Sequence, residues 1–263
     1  MDALRFEKWE GTGNDFVVID DREGHWSGIH PEFVKRLCDR HLGIGSDGLI
    51  LVQAPRVEGT AYHMAFFNPD ASSSFCGNGS RCAYAAWSAW TGERGTVRFT
   101  AIDGEHEGGW SDGLVRIAMR PVVAPERIDE GVLLLDTGSP HLIVEVPDPS
   151  LVDLVPEARK WRYNERFAKA GVNVNFTALR DGLVHMRTYE RGVEDETLSC
   201  GTGVTAAALS YLGRSIDPKG VAVKAPGGEL RVEARPLGDG GFDHVFLSGP
   251  VRHVFSGEWQ GTR

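Results

Sequence analysis

The sequence predicts an α+β protein of two pseudo-symmetric halves, each a mostly antiparallel or mixed sheet wrapped round one central, buried helix. Three observations predict it. First, Cys76-Gly77-Asn78-Gly79 and Cys200-Gly201-Thr202-Gly203 are both a cysteine followed by G-x-G, and each runs into an alanine-rich stretch without a helix breaker, Cys82–Trp90 and Ala206–Leu212. Second, the two copies stay in register: Cys76 to Val97 and Cys200 to Val221 are both 21 residues, and Gly104-Glu105 and Gly228-Glu229 lie 28 and 29 residues past their cysteines. Third, residues 82–90 are small or apolar nearly all round, and a helix with no polar face is buried on every side.

The elements follow in order. Leu4–Trp9 alternates as a strand, Gly11–Asp15 is a turn and Phe16–Asp20 a second strand, together a hairpin. His30-Pro31 opens a helix through Arg40, with Phe33, Val34, Leu37, Cys38 and His41 on one face and Gly43 as its stop. Gly43-Ile44-Gly45-Ser46-Asp47-Gly48 spells the dinucleotide fingerprint, but a helix precedes it and the strand Leu49–Val52 follows; the order is reversed, so it reads as a turn. Tyr62–Phe67 is a strand, Thr96–Thr100 another, and Gly104–Gly109 turns into the strand Leu114–Met119. Pro121–Pro125 is the expected linker, dividing 1–122 from 123–252, with 253–263 expected to pack back on the first half. The second half reads as strands at Val132–Leu135, His141–Val146, Val172–Leu179, Leu183–Tyr189 and Val221–Ala225, with a short helix within Ser150–Glu157 opening at Ser150.

Composition narrows the function. A net charge of −9 with no dense Lys/Arg block argues against nucleic acid and anionic membrane as partners. No segment reaches the length of a membrane span and the N-terminus lacks a signal-peptide core, so a cytoplasmic protein is expected. The four cysteines form no C-x-x-C and no framework, which suits reduced thiols, and no ligand tetrad suggests a metal. The sequons at Asn78 and Asn175 read as chance.

A thiol at a helix N-terminus titrates below its ordinary pKa of roughly 8.5 and suits acid–base work near neutrality. If Cys76 and Cys200 face each other across a cleft, one as thiolate can remove a proton from carbon and the other as thiol can return one to the opposite face. Main-chain N–H groups of Gly77-Asn78-Gly79 and Gly201-Thr202-Gly203 would then receive the negative charge on the substrate carboxylate. No pyridoxal phosphate lysine site is evident, and no cofactor is expected. Thiols flanking one carbon would also be close enough to oxidise to a disulfide when the site is empty. Cys38 and Cys82 read as core residues. Asn14 and Asn68 have turn-forming as their plain alternative, and Glu190-Arg191 a surface pair.

Gly13-Asn14-Asp15-Phe16, Cys76-Gly77-Asn78-Gly79-Ser80-Arg81-Cys82 and Tyr189-Glu190-Arg191-Gly192 followed by Cys200-Gly201-Thr202-Gly203 resemble the diaminopimelate epimerase family, over about Phe6 to Val254. The resemblance implies a cofactor-independent epimerase interconverting LL- and meso-diaminopimelate, a step toward lysine and peptidoglycan precursors, with Cys76 and Cys200 as the two bases. It implies substrate contacts from Asn14, Asn68, Asn173, Glu190 and Arg191, main-chain contacts from Gly77, Asn78, Gly201 and Thr202, thiol tuning by His141 and Glu190, and a homodimer. Departures are Ser139 where many members have Asn, Gly48 where some have Gln, Ala71-Ser72 after Asp70, and a loop lengthened at Val193-Glu194-Asp195. The competing readings are a proline- or hydroxyproline-type racemase of the same superfamily and a non-catalytic thiol redox or amino-acid-binding protein.

Overall fold

A computed structural model describes residues 3–26, 28–214 and 220–260. The chain splits into two compact units, Met1–Ile117 with Gly249–Arg263, and Ala118–Ser248. Of the segment 253–263, the last three residues lie outside the described ones, as do single or few residues of both expected halves.

In the first unit β1 (Leu4–Gly11) and β2 (Asn14–Asp21) form an antiparallel hairpin, followed by α1 (Pro31–Cys38) and β3 (Gly48–Gln53), which joins β2 in parallel. Then come β4 (His63–Phe67), α2 (Gly77–Thr91), β5 (Val97–Ala101), β6 (Gly104–Ser111) and β7 (Leu114–Ala118). β3–β4, β5–β6 and β6–β7 are antiparallel; β4 and β5, joined by the α2 crossover, are parallel. Alternation sorts the two faces of the sheet. Phe16, Val18, Ile50 and Val52 pack on Cys82, Ala83, Tyr84, Ala85, Ala86 and Trp87 of α2. Val17, Ile19, Leu49 and Leu51 pack on Phe33, Val34, Leu37 and Cys38 of α1. Each large apolar side chain so buried contributes about 1.5–3 kcal/mol, and the α2 residues that meet the sheet, Cys82–Trp87, are accordingly small or apolar.

The second unit contains β8 (Glu126–Asp129), β9 (Val132–Asp136), β10 (Pro140–Glu145), a 3₁₀ turn at Pro149–Leu151, α3 (Leu154–Arg162), β11 (Asn173–Arg180), β12 (Leu183–Glu190), β13 (Asp195–Thr197) and α4 (Gly201–Tyr211), the counterpart of α2 in sequence. β14 (Val221–Ala225), β15 (Gly228–Pro236) and β16 (Phe242–Gly249) follow. β10 and β11 are parallel, β11 and β12 antiparallel, β12 and β14 parallel across α4, and β14 and β15 antiparallel. The same succession of pairings links β2, β3, β4, β5 and β6 in the first unit. Leu142, Val144, Val174 and Phe176 pack on Leu154 and Ala158 of α3. The opposite face of β11 carries a buried polar row, Asn173, Asn175 and Thr177. β17 (Arg252–Trp259) returns to the first unit, antiparallel to β1.

Several local expectations change. α1 ends at Cys38, capped by Asp39, and His41 is exposed rather than on the buried face. The alanine-rich helix has its cysteine at its N-terminus, as expected, and runs from Gly77 to Thr91, with Gly92 left-handed at φ 80°. Gly104–Ser111 is a strand rather than a turn: the turn lies at Ile102-Asp103, and the strand pairs with β5 over Gly104–Gly108 and with β7 over Gly108–Ser111. Ser150 sits in the 3₁₀ turn capped by Asp148, and the helix proper begins at Leu154 and runs on to Arg162.

Candidate active site

Cys76 is the N-cap of α2, in extended backbone at φ −131° and ψ 111°, and its Sγ accepts from the Gly79 N–H at 3.3 Å. Cys200 is the N-cap of α4 at φ −118° and ψ 112°. Both thiols therefore stand where a helix presents about half a positive charge and its unsatisfied N–H groups, with Gly77, Asn78, Gly201 and Thr202 in the first turns. Neither cysteine is fully buried, unlike Cys38 and Cys82, whose thiols burial pushes up and keeps protonated. All four are free.

Around Cys76 the first unit gathers Asn14 and Asn78. The Asn14 Nδ2 donates to Asp47 Oδ2 at 2.7 Å, which turns its Oδ1 toward Asn78 Nδ2 at 3.3 Å and Cys76 Sγ at 4.0 Å. Asp47 is held in turn. Arg40 reaches Asp15 and Asp47, both at 2.7 Å, and Lys8 pairs with Asp15 at 2.7 Å and donates to the Gly45 carbonyl. Burial alone would raise the Asp15 carboxyl, but hydrogen bonds from Arg40 and Lys8 outweigh it and bring it down to about 2. Arg81, fully buried, donates to Thr12 Oγ1 at 2.9 Å and steadies the β1–β2 turn, where Thr12 holds φ 55°. Asn68 closes its own loop, its Nδ2 donating to Ser72 Oγ at 3.0 Å and Ser74 Oγ at 3.2 Å, two residues short of Cys76.

Around Cys200 the second unit gathers Thr202, His141, Asn173 and Asn175. Cys200 Sγ lies 3.4 Å from Thr202 Oγ1, which lies 2.8 Å from His141 Nε2. His141 Nδ1 is 3.2 Å from Asn175 Nδ2. Burial, and then the positive charge of Arg191, depress His141 to about 3, so the ring is neutral. Asn173 Nδ2 donates to Ser139 Oγ at 2.9 Å and the Pro140 carbonyl at 3.1 Å, while its Oδ1 accepts from the Arg191 N–H at 2.8 Å. The Arg191 side chain is exposed and donates to the Ala170 carbonyl at 2.9 Å. Glu190 Oε2 accepts from Thr197 Oγ1 at 2.9 Å. Gly203 makes room for this arrangement: a Cβ there would stand 2.8 Å from Asn175 Oδ1 and 3.2 Å from His141 Cε1.

Two of the unusual positions acquire physical reasons. At Gly48 a Cβ would lie 2.4 Å from the Phe66 ring, so this chain has no room for a side chain there. Glu194, in the lengthened loop, takes hydrogen bonds from Tyr163 at 2.8 Å, Tyr189 at 2.9 Å and Arg162 at 2.9 Å, which fasten that loop to α3 and β12. Sequence reasoning missed Asp47, which lay inside the rejected dinucleotide pattern, and Asn175. The signal for Asn175 was its spacing of two from Asn173, which puts both on one face of a strand.

The diaminopimelate epimerase family model matches residues 6–114 and 133–254. The chain is 35% identical over 255 residues to the diaminopimelate epimerase of Flavobacterium psychrophilum, covering 96% of this chain and 98% of that one. It is 38% identical over 281 residues to that of Aquifex aeolicus, covering 97% of each. The chain belongs to the diaminopimelate epimerase family. Its chemistry is that of an isomerase. Solved structures show the same fold at low identity: a phenazine biosynthesis protein of the PhzF family from Bacillus anthracis has a TM-score of 0.71 at 15% identity, covering 98% of this chain and 99% of that one. A hydroxyproline epimerase from Agrobacterium vitis has a TM-score of 0.66 at 15% identity, covering 98% and 92%. No helix among the described residues is long and apolar enough to cross a membrane, and no group of three or more His, Cys, Asp or Glu among them could hold a metal ion.

Proposed function

We propose that this epimerase interconverts LL- and meso-diaminopimelate without a cofactor, by two-base proton transfer in which Cys76 and Cys200 act on opposite faces of the substrate α-carbon. The observation that carries the reading is that both cysteines are N-caps, of α2 and α4. In each direction one cysteine, as thiolate, removes the α-proton and the other, as thiol, supplies one. The N–H groups of Gly77, Asn78, Gly201 and Thr202 receive the charge that develops on the α-carboxylate, in place of an electron sink. Asn14, Asn68, Asn173, Glu190 and Arg191 grip the substrate's distal zwitterion, for which amides and one charge of each sign are fitted. His141 and Glu190 tune the thiols.

Exchange of the substrate α-proton in deuterated water tests the mechanism. Wild type is expected to exchange LL-diaminopimelate rapidly, and Cys76→Ala and Cys200→Ala to lose interconversion. Retained turnover in either variant, or turnover of proline but not diaminopimelate, refutes the reading. By family, we further propose a cytoplasmic homodimer, a lysine and peptidoglycan precursor enzyme; sedimentation velocity showing a monomer at micromolar concentration would refute the dimer.

A further inference from the structure

We propose that Asn175 and His141 are positioning residues that point the hydroxyl proton of Thr202 at Cys200, so that Thr202 acts as a hydrogen-bond donor to the Cys200 thiolate. The inference rests on Cys200 being one of the two bases, and its test uses readouts that do not need turnover.

The direction of each hydrogen bond follows from the one before it. Asn175 is fully buried on β11. Its Nδ2 lies 3.1 Å from the Leu142 carbonyl, which can only accept, and its Oδ1 receives the Thr188 hydroxyl at 2.9 Å. The amide therefore cannot be turned over without setting two acceptors against each other. The same Nδ2 is 3.2 Å from His141 Nδ1, so Nδ1 must be the ring's acceptor. His141 is neutral and fully buried, and its one proton then resides on Nε2. Nε2–H donates to Thr202 Oγ1 at 2.8 Å. With that oxygen receiving a proton from the ring, the Thr202 O–H is free to point to its other neighbour, Cys200 Sγ at 3.4 Å. A hydroxyl that donates to sulfur favours thiolate over thiol.

The remaining groups leave this direction in place. Asn173 and Thr177, which β11 turns to the same side, are uncharged; Asn173 Nδ2 also lies 3.5 Å from His141 Nε2, but its two protons go to the nearer Ser139 Oγ at 2.9 Å and Pro140 carbonyl at 3.1 Å. The charged groups nearby are Arg191, which further disfavours a second proton on His141, and Glu190, whose Oε2 accepts from Thr197. The Cys76 cap is built differently: at the position matching Thr202 stands Asn78, whose Nδ2 donates to Asn14 Oδ1. The side chain two residues after each cysteine thus differs in kind: an amide turned to Asn14 beside Cys76, and a hydroxyl held by a histidine beside Cys200.

The test is pH-dependent alkylation of the substrate-free protein with iodoacetamide, read separately at Cys200 and Cys76 by peptide mass spectrometry. Thr202→Val is expected to raise the midpoint at Cys200 by about one pH unit, a roughly ten-fold loss of thiolate well below the midpoint. Thr202→Ser is expected to restore it to within a few tenths, and Cys76 to keep its midpoint in both. Nitrogen-15 NMR of histidine-labelled wild type is expected to show His141 protonated on Nε2 and not on Nδ1 from pH 5 to 9, and Asn175→Leu to mix the tautomers. An unmoved Cys200 midpoint in Thr202→Val overturns the proposal, as does an Nδ1–H tautomer in wild type; the NMR result decides even if a variant fails to fold. A Cys200→Ala enzyme that still turns over would instead refute the two-base reading.

Discussion

Replacing Gly203 by alanine sets two effects of known size against each other. Inside an ordinary helix, Gly→Ala stabilises by about 0.5–1 kcal/mol, because alanine gives up less backbone entropy on folding. Gly203 is the third residue of α4, so that gain is available. The added Cβ, however, would stand 2.8 Å from Asn175 Oδ1 and 3.2 and 3.3 Å from His141 Cε1 and Nδ1. Neither neighbour is the loose end of a flexible chain. Both are fully buried, and Asn175 is tied to Leu142, Thr188 and His141. Overpacking at such a site costs about 1–3 kcal/mol, and breaking one buried hydrogen bond with a partner left unpaired costs about 1–3 kcal/mol more. The penalty outweighs the helix gain, leaving a net loss on the order of 1–5 kcal/mol. At about 2–4 °C per kcal/mol for a chain of this size class, Tm should fall by at least about 2 °C. The displacement also reaches Cys200 through His141 and Thr202, so α-proton exchange should fall by about ten-fold or more. Calorimetry and deuterium exchange on the same preparation provide both readings. A Gly203→Ala protein as stable as wild type, or more so, with unchanged exchange would refute the packing account.

Three further outcomes are expected. Asp15, held down to about 2, gains stability from ionisation that is fully present above its unfolded pKa of about 3.9 and is lost as pH falls through about 2; Asp15→Asn should therefore melt below wild type at pH 7, with the gap closing between about pH 4 and pH 2. Asn173→Ala removes the acceptor for the Arg191 N–H and the donor to Ser139 and Pro140, so KM for diaminopimelate should rise by about ten-fold with a smaller fall in kcat; an unchanged KM would place Arg191 outside substrate binding. The Cys38→Ala/Cys82→Ala double variant should keep wild-type turnover to within about two-fold and show that native alkylation is confined to Cys76 and Cys200, because burial keeps the other two thiols protonated.

The sequence displayed those parts of the fold that have a strong local cause. The breaker-free, small and apolar stretch Cys82–Trp90 could only be a buried helix. β3, buried at every position, read as a strand from its run of Leu, Ile and Val. Where several weak causes compete, the reading slipped. Gly104–Ser111 contains three glycines, yet it is paired on both flanks, and tertiary hydrogen bonding overrides the turn propensity of Gly108 and Gly109. β15, β16 and β17 are absent from the sequence reading, although in β15 Leu230, Val232 and Ala234 alternate with charged residues as a strand should. In the site, the cysteines and their glycines were legible because a motif displays them. Asp47 and Asn175 were not, because each acts on a residue distant in sequence: Asp47 on Asn14, 33 positions away, and Asn175 on His141, 34 positions away.

The residue two positions after each cysteine sets the local polarity of its site. In C-G-N-G the Asn78 amide reaches sideways to Asn14, and Cys76 receives its hydrogen bond from the main chain at Gly79. In C-G-T-G the Thr202 hydroxyl stays beside its own cysteine, and α4 has no side-chain cap from Cys200. A threonine at position 78 would be too short to reach Asn14, whose Oδ1 would lose a donor while Asp47 still held its Nδ2. An asparagine at position 202 would present His141 with an amide that can either donate or accept, and the chain of fixed directions from Asn175 would end there. The proposed two-base inversion starts from one thiolate and one thiol. Under that proposal, unequal caps would bias which thiol is ionised in the free enzyme, and substrate of the opposite configuration would have to reverse the bias.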